Sequence, residues 1–143
     1  MKSDFQDCLK TKKIQKFSGA EKLIKTEIKA AKEDIKEAKG RFRADKFKYA
    51  TVNGYYSLFH SARALIYRVG YREKSHYCLR MAIEEFYIKE KILEPKFLEY
   101  FDEAMGLRQA ADYQSVFSKD GARRAIRGAE KFLFAALKIF RES

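Results

Sequence analysis

The chain has 143 residues, of which 46% are hydrophobic and 36% are charged, and its net charge is +11 at pH 7. A chain of this length can form one domain whose core needs neither a disulfide nor a metal. One proline and seven glycines exclude collagen, a disordered chain and a turn-rich all-β fold. The basic charge favours a polyanionic partner, which leaves nucleic acid, a nucleotide, an anionic membrane or an acidic protein open.

Cysteine content and hydropathy bear on where the protein acts. Two cysteines, Cys8 and Cys78, are too few for a secreted disulfide scaffold. The longest apolar run, from Phe132 to Leu137, is far shorter than the ~20 residues of a membrane span. Charges throughout residues 1–16 leave no apolar core for a signal peptide. We therefore expect a soluble, cytoplasmic protein with no membrane partner.

The beginning of the chain predicts a tail followed by a helix. Residues 1–18 are rich in lysine, and we expect them to form a basic N-terminal tail that can fray, before one helical domain over residues 19–143. From Glu21 onward, apolar residues recur at spacings of four and three between Ile24 and Phe42. That spacing predicts the first amphipathic helix.

The second helix is predicted to begin near Asp45, a reasonable cap, and to end at Gly70. It is apolar around most of its circumference, which is typical of a central helix. Three more helices are predicted, from Ser75 to about Lys91, from Pro95 towards Tyr113, and from Ser118 to Phe140. Three glycines inside predicted helices are expected to allow close helix packing: Gly54, Gly106 and Gly128. With no strand alternation and no internal repeat, the sequence predicts an all-α fold, an antiparallel up-and-down bundle of four to five helices.

Charge is unevenly distributed along the chain. Residues 1–43, 63–80 and 113–141 are each basic, whereas residues 84–112 carry eight acidic and four basic side chains. This pattern fits either a solvated surface of mixed charge or a face that binds a polyanion.

One face of the second helix carries polar and aromatic side chains. Tyr56, His60, Arg63 and Tyr67 follow spacings of four, three and four residues. Such a row could line a cleft or a symmetric interface, where Arg and Tyr are common anchors. The alternative is that these residues are half-buried in the core, with their polar ends in water.

The turn into the third helix contains Lys74, Ser75 and His76. Free N–H groups at a helix start, together with Lys74 and Ser75, would suit a phosphate, and His76 could titrate there near neutral pH. The alternative is that Ser75 caps the helix and His76 lies on the surface.

Near the end of the fourth helix, Arg108 and Asp112 have the spacing of an ion pair across one helical turn. Leu107, Ala110 and Ala111 surround Arg108, so we expect a partly buried arginine positioned for a task. The sequence has no Gly-rich phosphate loop and no nucleophile elbow. The two histidines show no metal-ligand spacing, so no metal or cofactor is expected.

Four segments together resemble the HEPN domain family, in the form of stand-alone prokaryotic HEPN proteins. They are the central helix Ala50–Leu65, the Lys74-Ser75-His76 turn, the Arg-x-x-Ala-Asp-Tyr segment within Leu107–Tyr113, and the Ala-Glu-x-Phe-Leu of Ala129–Leu133. The resemblance runs from about residue 20 to residue 141. It implies a helical bundle that forms homodimers and often partners a minimal nucleotidyltransferase in toxin–antitoxin or related modules.

The resemblance also implies a ribonuclease motif that this chain lacks in part. Many HEPN domains cleave RNA without a metal, using an arginine followed after four to six residues by a histidine. Arg108 matches the arginine, but positions 113, 114 and 115 hold Tyr113, Gln114 and Ser115. Histidine moves protons near pH 7, whereas the reference pKa of tyrosine is about 10.

Three hypotheses for function follow. The first is a HEPN binding subunit, a homodimer that partners a minimal nucleotidyltransferase and binds nucleotide or RNA in a basic cleft. The second is a divergent metal-independent ribonuclease using Arg108 with His60 or His76, and the third is a structural helical adaptor without a ligand. The residues expected in the ligand or dimer cleft are Tyr56, His60, Arg63, Lys74, His76, Arg108, Asp112 and Tyr113.

Overall fold

A computed structural model describes residues 4–142. Its α-helices are α1 (Asp4–Lys10), α2 (Ile24–Arg43), α3 (Phe47–Arg68), α4 (His76–Ile83), α5 (Lys96–Gln114) and α6 (Lys119–Arg141). A 3₁₀ turn (Ala20–Leu23) precedes α2, and a π-helical turn (Glu84–Ile88) continues α4. Two short strands, β1 (Ile14–Lys16) and β2 (Tyr71–Glu73), pair antiparallel. The predicted all-α fold is confirmed, and helices α2 to α6 correspond to the five helices expected from the sequence.

Helix α3 is the central helix, as its apolar circumference predicts. Thirteen of its 22 residues are buried, and it packs against α2, α4, α5 and α6. Tyr55, Leu58 and Leu65 are fully buried there. Burying a large apolar side chain contributes about 1.5–3 kcal/mol, so α3 supplies much of the core's stability.

Local signals in the sequence set some of the helix ends. Ser118 caps α6 by accepting a hydrogen bond from the backbone N–H of Gly121 at 2.9 Å, and Gly70 follows α3 with a φ of 83°. Asp45, predicted to cap α3, does not do so. Its φ of 60° places it in the left-handed turn after α2, and Lys46 stands at the cap position without a side-chain bond.

The start of the chain is attached to the domain. Residues 4–18, expected to belong to a basic tail, contain α1 and β1, while residues 1–3 lie outside the described part. β1 pairs with β2, placing Ile14 opposite Glu73. A disulfide joins Cys8 of α1 to Cys78 of α4, with 5.8 Å between the Cα atoms. Neither contact was expected from the sequence, because a core of this size needs no disulfide and three-residue strands are too short to show alternation.

Candidate functional site

The side chain of Arg108 on α5 lies among three tyrosine rings and is only 13% exposed. Its guanidinium carbon is 5.5 Å from the ring centroids of Tyr55 and Tyr56 and 5.4 Å from that of Tyr113. Nη2 of Arg108 donates to the hydroxyl of Tyr56 at 3.1 Å, and Nε lies 3.3 Å from Oδ2 of Asp112. The packing of α5 on α3 brings these groups together.

Arg108 keeps unused hydrogen-bonding capacity. A guanidinium has five N–H donors, and within residues 4–142 the one hydrogen bond donated by Arg108 goes to Tyr56. Its Nε atom is buried and makes no hydrogen bond in the described part of the chain, because the N–H does not point at the nearby Asp112 carboxylate. Since unpaired buried donors are rare and need an explanation, a bound anion is a good candidate for the missing acceptor.

His76 lies beside these residues at the start of α4. Its Nδ1 is hydrogen-bonded to the hydroxyl of Tyr55, and its ring centroid is 4.7 Å from that of Phe59. Burial lowers the pKa of His76 below its usual 6.5, and the positive charge of Arg108 lowers it further. His76 is therefore neutral at pH 7. We call the following residues the Arg108 cluster: Tyr55, Tyr56, His76, Arg108, Asp112 and Tyr113.

Tyr55 fixes one side of the His76 ring. Burial raises the pKa of Tyr55 well above its usual range, so the phenol keeps its proton. A neutral phenol can donate to Nδ1 or accept from it, and both neutral tautomers of His76 therefore keep this bond. In the tautomer with the proton on Nδ1, Nε2 is free to accept a proton.

His60 and Arg63 bind carboxylates instead of joining the Arg108 cluster. His60 Nδ1 lies 2.5 Å from Oε2 of Glu27, and its Nε2 lies 3.6 Å from Oδ2 of Asp34. Nη2 of Arg63 donates to Oε2 of Glu73 at 2.7 Å. Glu27 and Glu73 are both buried. The charge of Arg63 is thus compensated, and these contacts hold α2 and β2 against α3.

Phe59 lies between the two groups. Its ring centroid is 5.4 Å from that of His60 and 4.5 Å from the guanidinium carbon of Arg63. Tyr67, the last residue of the predicted row, is buried with its ring 6.4 Å from Phe17. The row on α3 therefore divides, with Tyr56 meeting Arg108 while His60 and Arg63 meet acidic residues.

In the turn before α4, Ser75 has a structural role. Its Oγ accepts a hydrogen bond from the backbone N–H of Cys78 at 3.1 Å, which is the capping role considered as the alternative. Lys74 is exposed, and its backbone N–H donates to the carbonyl of Lys13 at 2.8 Å. Of this turn, His76 is the residue that the structure brings to Arg108.

Sequence reasoning missed several residues of this region. Tyr55 was not among the residues expected in the cleft, although it directly precedes Tyr56. Glu27 was not singled out, although a carboxylate between Ile24 and Ile28 on the apolar side of α2 was a usable signal. Glu73 gave no local signal, because it meets Arg63 only once β2 is placed beside α3.

Within residues 4–142, no group of three or more His, Cys, Asp or Glu side chains is arranged to hold a metal ion. In the same part of the chain, no helix combines the length and apolar character needed to cross a membrane. Two grooves of about 670 and 720 Å³ lie along α6, and neither is lined by the Arg108 cluster.

Comparison with known proteins identifies the family. Residues 24–139 match the HEPN domain. The protein named "Putative toxin MJ0142", from Methanocaldococcus jannaschii, is 30% identical over 89 residues, which are 62% of this chain and 60% of the relative. A second protein of that organism, "Putative toxin MJ0605", is 27% identical over 120 residues, which are 83% of this chain and 90% of the relative. This chain therefore belongs to the HEPN domain family.

Proposed function

We propose that this protein is the homodimeric HEPN subunit of a toxin–antitoxin-like module, that it partners a minimal nucleotidyltransferase, and that it binds RNA or a nucleotide at the Arg108 cluster. Two relatives named as toxins support the module, and the resemblance to stand-alone HEPN proteins supports the partner. We place the module in the cytoplasm. Disulfides are rare in intracellular proteins outside hyperthermophiles, so finding Cys8 and Cys78 reduced in cells would support this location.

The observation that carries the proposal is the setting of Arg108. Its unused N–H donors suit a phosphate, because guanidinium and phosphate form charge-assisted hydrogen bonds. The exposed ring of Tyr113 beside it offers a surface on which a base can stack. An arginine next to an accessible aromatic ring is a combination that proteins use to bind single-stranded nucleic acids.

Binding is tested with a short fluorescein-labelled single-stranded RNA and with labelled ATP, measured by fluorescence anisotropy. We expect Arg108→Gln to weaken binding about tenfold, because it removes the positive charge while leaving a polar side chain. Arg124→Gln is the matched control, since Arg124 pairs with Asp120 across one turn but lies outside the cluster. Equal affinity of wild type and Arg108→Gln would refute binding at this cluster, and no binding by either protein would favour the adaptor hypothesis.

An exposed apolar patch supports the dimer. Tyr113, Val116 and Phe117 are 73%, 60% and 50% exposed and follow one another in the segment after Arg108. Exposed aromatic and aliphatic residues grouped this closely mark association sites. A second copy packed mainly on Val116 and Phe117 would bring the two Arg108 clusters side by side, with Tyr113 lining the cleft between them.

The partner is tested by co-expressing the chain with a minimal nucleotidyltransferase from the same genome. We expect the two proteins to co-purify through size-exclusion chromatography at physiological salt. Separate elution under native expression would remove the partner from the proposal and leave the RNA and nucleotide binding to be judged by anisotropy.

A second candidate function is metal-independent RNA cleavage, and the position of His76 favours it. A neutral His76 could take the proton of a ribose 2′-hydroxyl on Nε2 while the 2′-oxygen bonds to phosphorus. The 5′-oxygen would then leave with a proton from water, and Arg108 would stabilise the charge on the phosphoryl oxygens. Of the two histidines considered from the sequence, His60 is the weaker candidate because Glu27 and Asp34 occupy its ring nitrogens.

Cleavage is tested with labelled single-stranded RNA in EDTA. We expect His76→Gln and Arg108→Gln to lose activity and the matched control His60→Gln to keep it. A general base must be unprotonated, and the pKa of His76 is below 6.5. Activity should therefore be constant above pH 7 and fall as the pH drops through the pKa of His76. Activity that survives His76→Gln, or its absence in wild type, would exclude this second function.

A further inference from the structure

A groove on the side of α2 has an apolar floor. It lies between the first half of α2 and the end of α6 and has a volume of about 670 Å³. Ile24, Ile28, Leu137 and Phe140 line it, and each is only partly buried. Four large apolar side chains that the fold leaves partly open to water favour a partner that covers them.

One edge of this groove, which we call the α2–α6 groove, carries a row of lysines. Lys25, Lys29, Lys32 and Lys36 follow spacings of four, three and four residues, so they share one side of α2. Among residues 4–142, no carboxylate lies within ion-pair distance of Lys25, Lys32 or Lys36, and Lys29 lies 4.0 Å from the exposed Glu33. Farther along α2 the situation differs, because Lys39 forms an ion pair with Glu130 of α6.

The apolar floor and the lysine row of the α2–α6 groove together favour one kind of binding partner. RNA would pair with the lysines but would gain nothing from the apolar floor, and a flat lipid surface does not reach the floor of a concave groove. A second copy packed symmetrically on this groove would bring the two lysine rows together, which like-charge repulsion opposes. An amphipathic helix with acidic residues beside its apolar row satisfies both features.

We propose that the α2–α6 groove docks an acidic amphipathic helix of a partner protein. The lining residues from Ile24 to Lys36 extend over about 18 Å of helix, so the groove accommodates about three turns of the partner. Apolar residues of that helix at spacings of three and four lie on the floor, and its carboxylates pair with the α2 lysines. The groove lies apart from the Arg108 cluster, and the inference does not depend on what that cluster binds.

The test uses a fluorescein-labelled synthetic peptide with leucines at i, i+3, i+4 and i+7 and glutamates beside them, measured by anisotropy with the full chain. We expect the double variant Lys25→Glu/Lys32→Glu to bind it about tenfold more weakly, because two exposed attractions become repulsions. Lys131→Glu/Lys138→Glu is the matched control, with the same charge change on the other groove of α6, and it should stay within about twofold of wild type.

Two further measurements locate the peptide and exclude other occupants. A scrambled peptide of the same composition should bind about tenfold more weakly, because it lacks the apolar row. Backbone amide NMR signals of Ile28 and Leu137 should shift with the striped peptide. Equal binding of both peptides or equal loss in both double variants would overturn the proposal. The proposal would also be overturned if Lys25→Glu/Lys32→Glu changed RNA binding or the mass of the dimer but left peptide binding unchanged. Loss of RNA binding in Arg108→Gln alone concerns the Arg108 cluster and leaves this proposal unaffected.

Discussion

At the scale of single residues, the three helical glycines differ in what surrounds them. A Cβ atom on Gly54 would lie 3.3 Å from the backbone carbon of Ala125 and 3.3 Å from the backbone nitrogen of Ile126. Backbone atoms inside α6 cannot rotate away, so Gly54 allows α3 and α6 to approach closely. A Cβ on Gly128 would lie 3.4 Å from Tyr100, whereas Gly106 has nothing within 4 Å. The expectation of close packing was therefore wrong for Gly106.

This difference predicts opposite effects of one substitution. Gly54→Ala should lower the free energy of unfolding by about 1–2 kcal/mol, because overpacking against α6 outweighs the gain in helix propensity. Gly106→Ala should raise it by up to about 1 kcal/mol, since the methyl group meets only solvent and alanine is the better helix former. Urea unfolding followed by circular dichroism measures both. Equal effects in the two variants would contradict the packing of α3 on α6 described here.

At the scale of elements, α1 and β1 are held to the bundle by contacts distant in sequence. The bond between Cys8 and Cys78 spans 70 residues, and both cysteines are buried. Ile14 of β1 is also buried, opposite Glu73 of β2. Because α4 carries both Cys78 and His76, the disulfide fixes the first elements of the chain beside the helix that presents His76 to Arg108.

Removal of this disulfide should destabilise the fold without abolishing it. We expect Cys8→Ser/Cys78→Ser to lower the free energy of unfolding by about 2–4 kcal/mol, because the unfolded chain has a higher conformational entropy without the cross-link that closes a long loop. The core around α3 should persist, since the two cysteines are a small part of the buried cluster to which α3 belongs and serine keeps nearly the same side-chain volume. Urea unfolding with and without a reductant gives the measurement. Wild type should respond to the reductant and the double variant should not, and an unresponsive wild type would contradict the disulfide.

At the scale of the whole molecule, ion pairs between helices determine which of the charged side chains remain uncompensated. The acidic stretch 84–112 lies mainly on α5, where its carboxylates meet cations of neighbouring helices. Asp102 lies 2.6 Å from Arg80 of α4, and Glu103 lies 3.4 Å from Arg124 of α6. The lysines along the first half of α2 have few such partners. Helix α6 has seven basic and two acidic side chains and α2 has seven and four, so much of the net charge of +11 lies on these two helices.

Association of two chains is predicted to use the patch of Tyr113, Val116 and Phe117. We expect light scattering to give twice the chain mass of 16.8 kDa for wild type. Val116→Ser/Phe117→Ser should give a monomer, because it removes exposed apolar surface from the interface without touching the core. Phe134→Ser is the matched control, since Phe134 is 66% exposed on α6 and lies outside the patch. A monomeric wild type, or dissociation caused by Phe134→Ser alone, would rule out this interface.

The sequence by itself determined the helical part of the fold. Apolar spacing of three and four residues located α2 to α6, and Gly70 and Ser118 marked helix ends, because these signals act between residues close along the chain. The sequence also pointed to Arg108 and His76 as site residues, each from its own short segment. It expected both in one cleft, but it placed His60, Arg63 and Lys74 there as well, and it did not show that His60 and Arg63 pair with Glu27 and Glu73.

Only the tertiary structure decided those contacts. The Tyr55–His76 bond joins α3 to α4, the Tyr56–Arg108 bond joins α3 to α5, and the Cys8–Cys78 disulfide joins α1 to α4. Periodicity gives the face of a helix but not the neighbour that the face meets. The partner of each polar side chain is set by how the helices pack around α3, which depends on the shape and volume of the whole core.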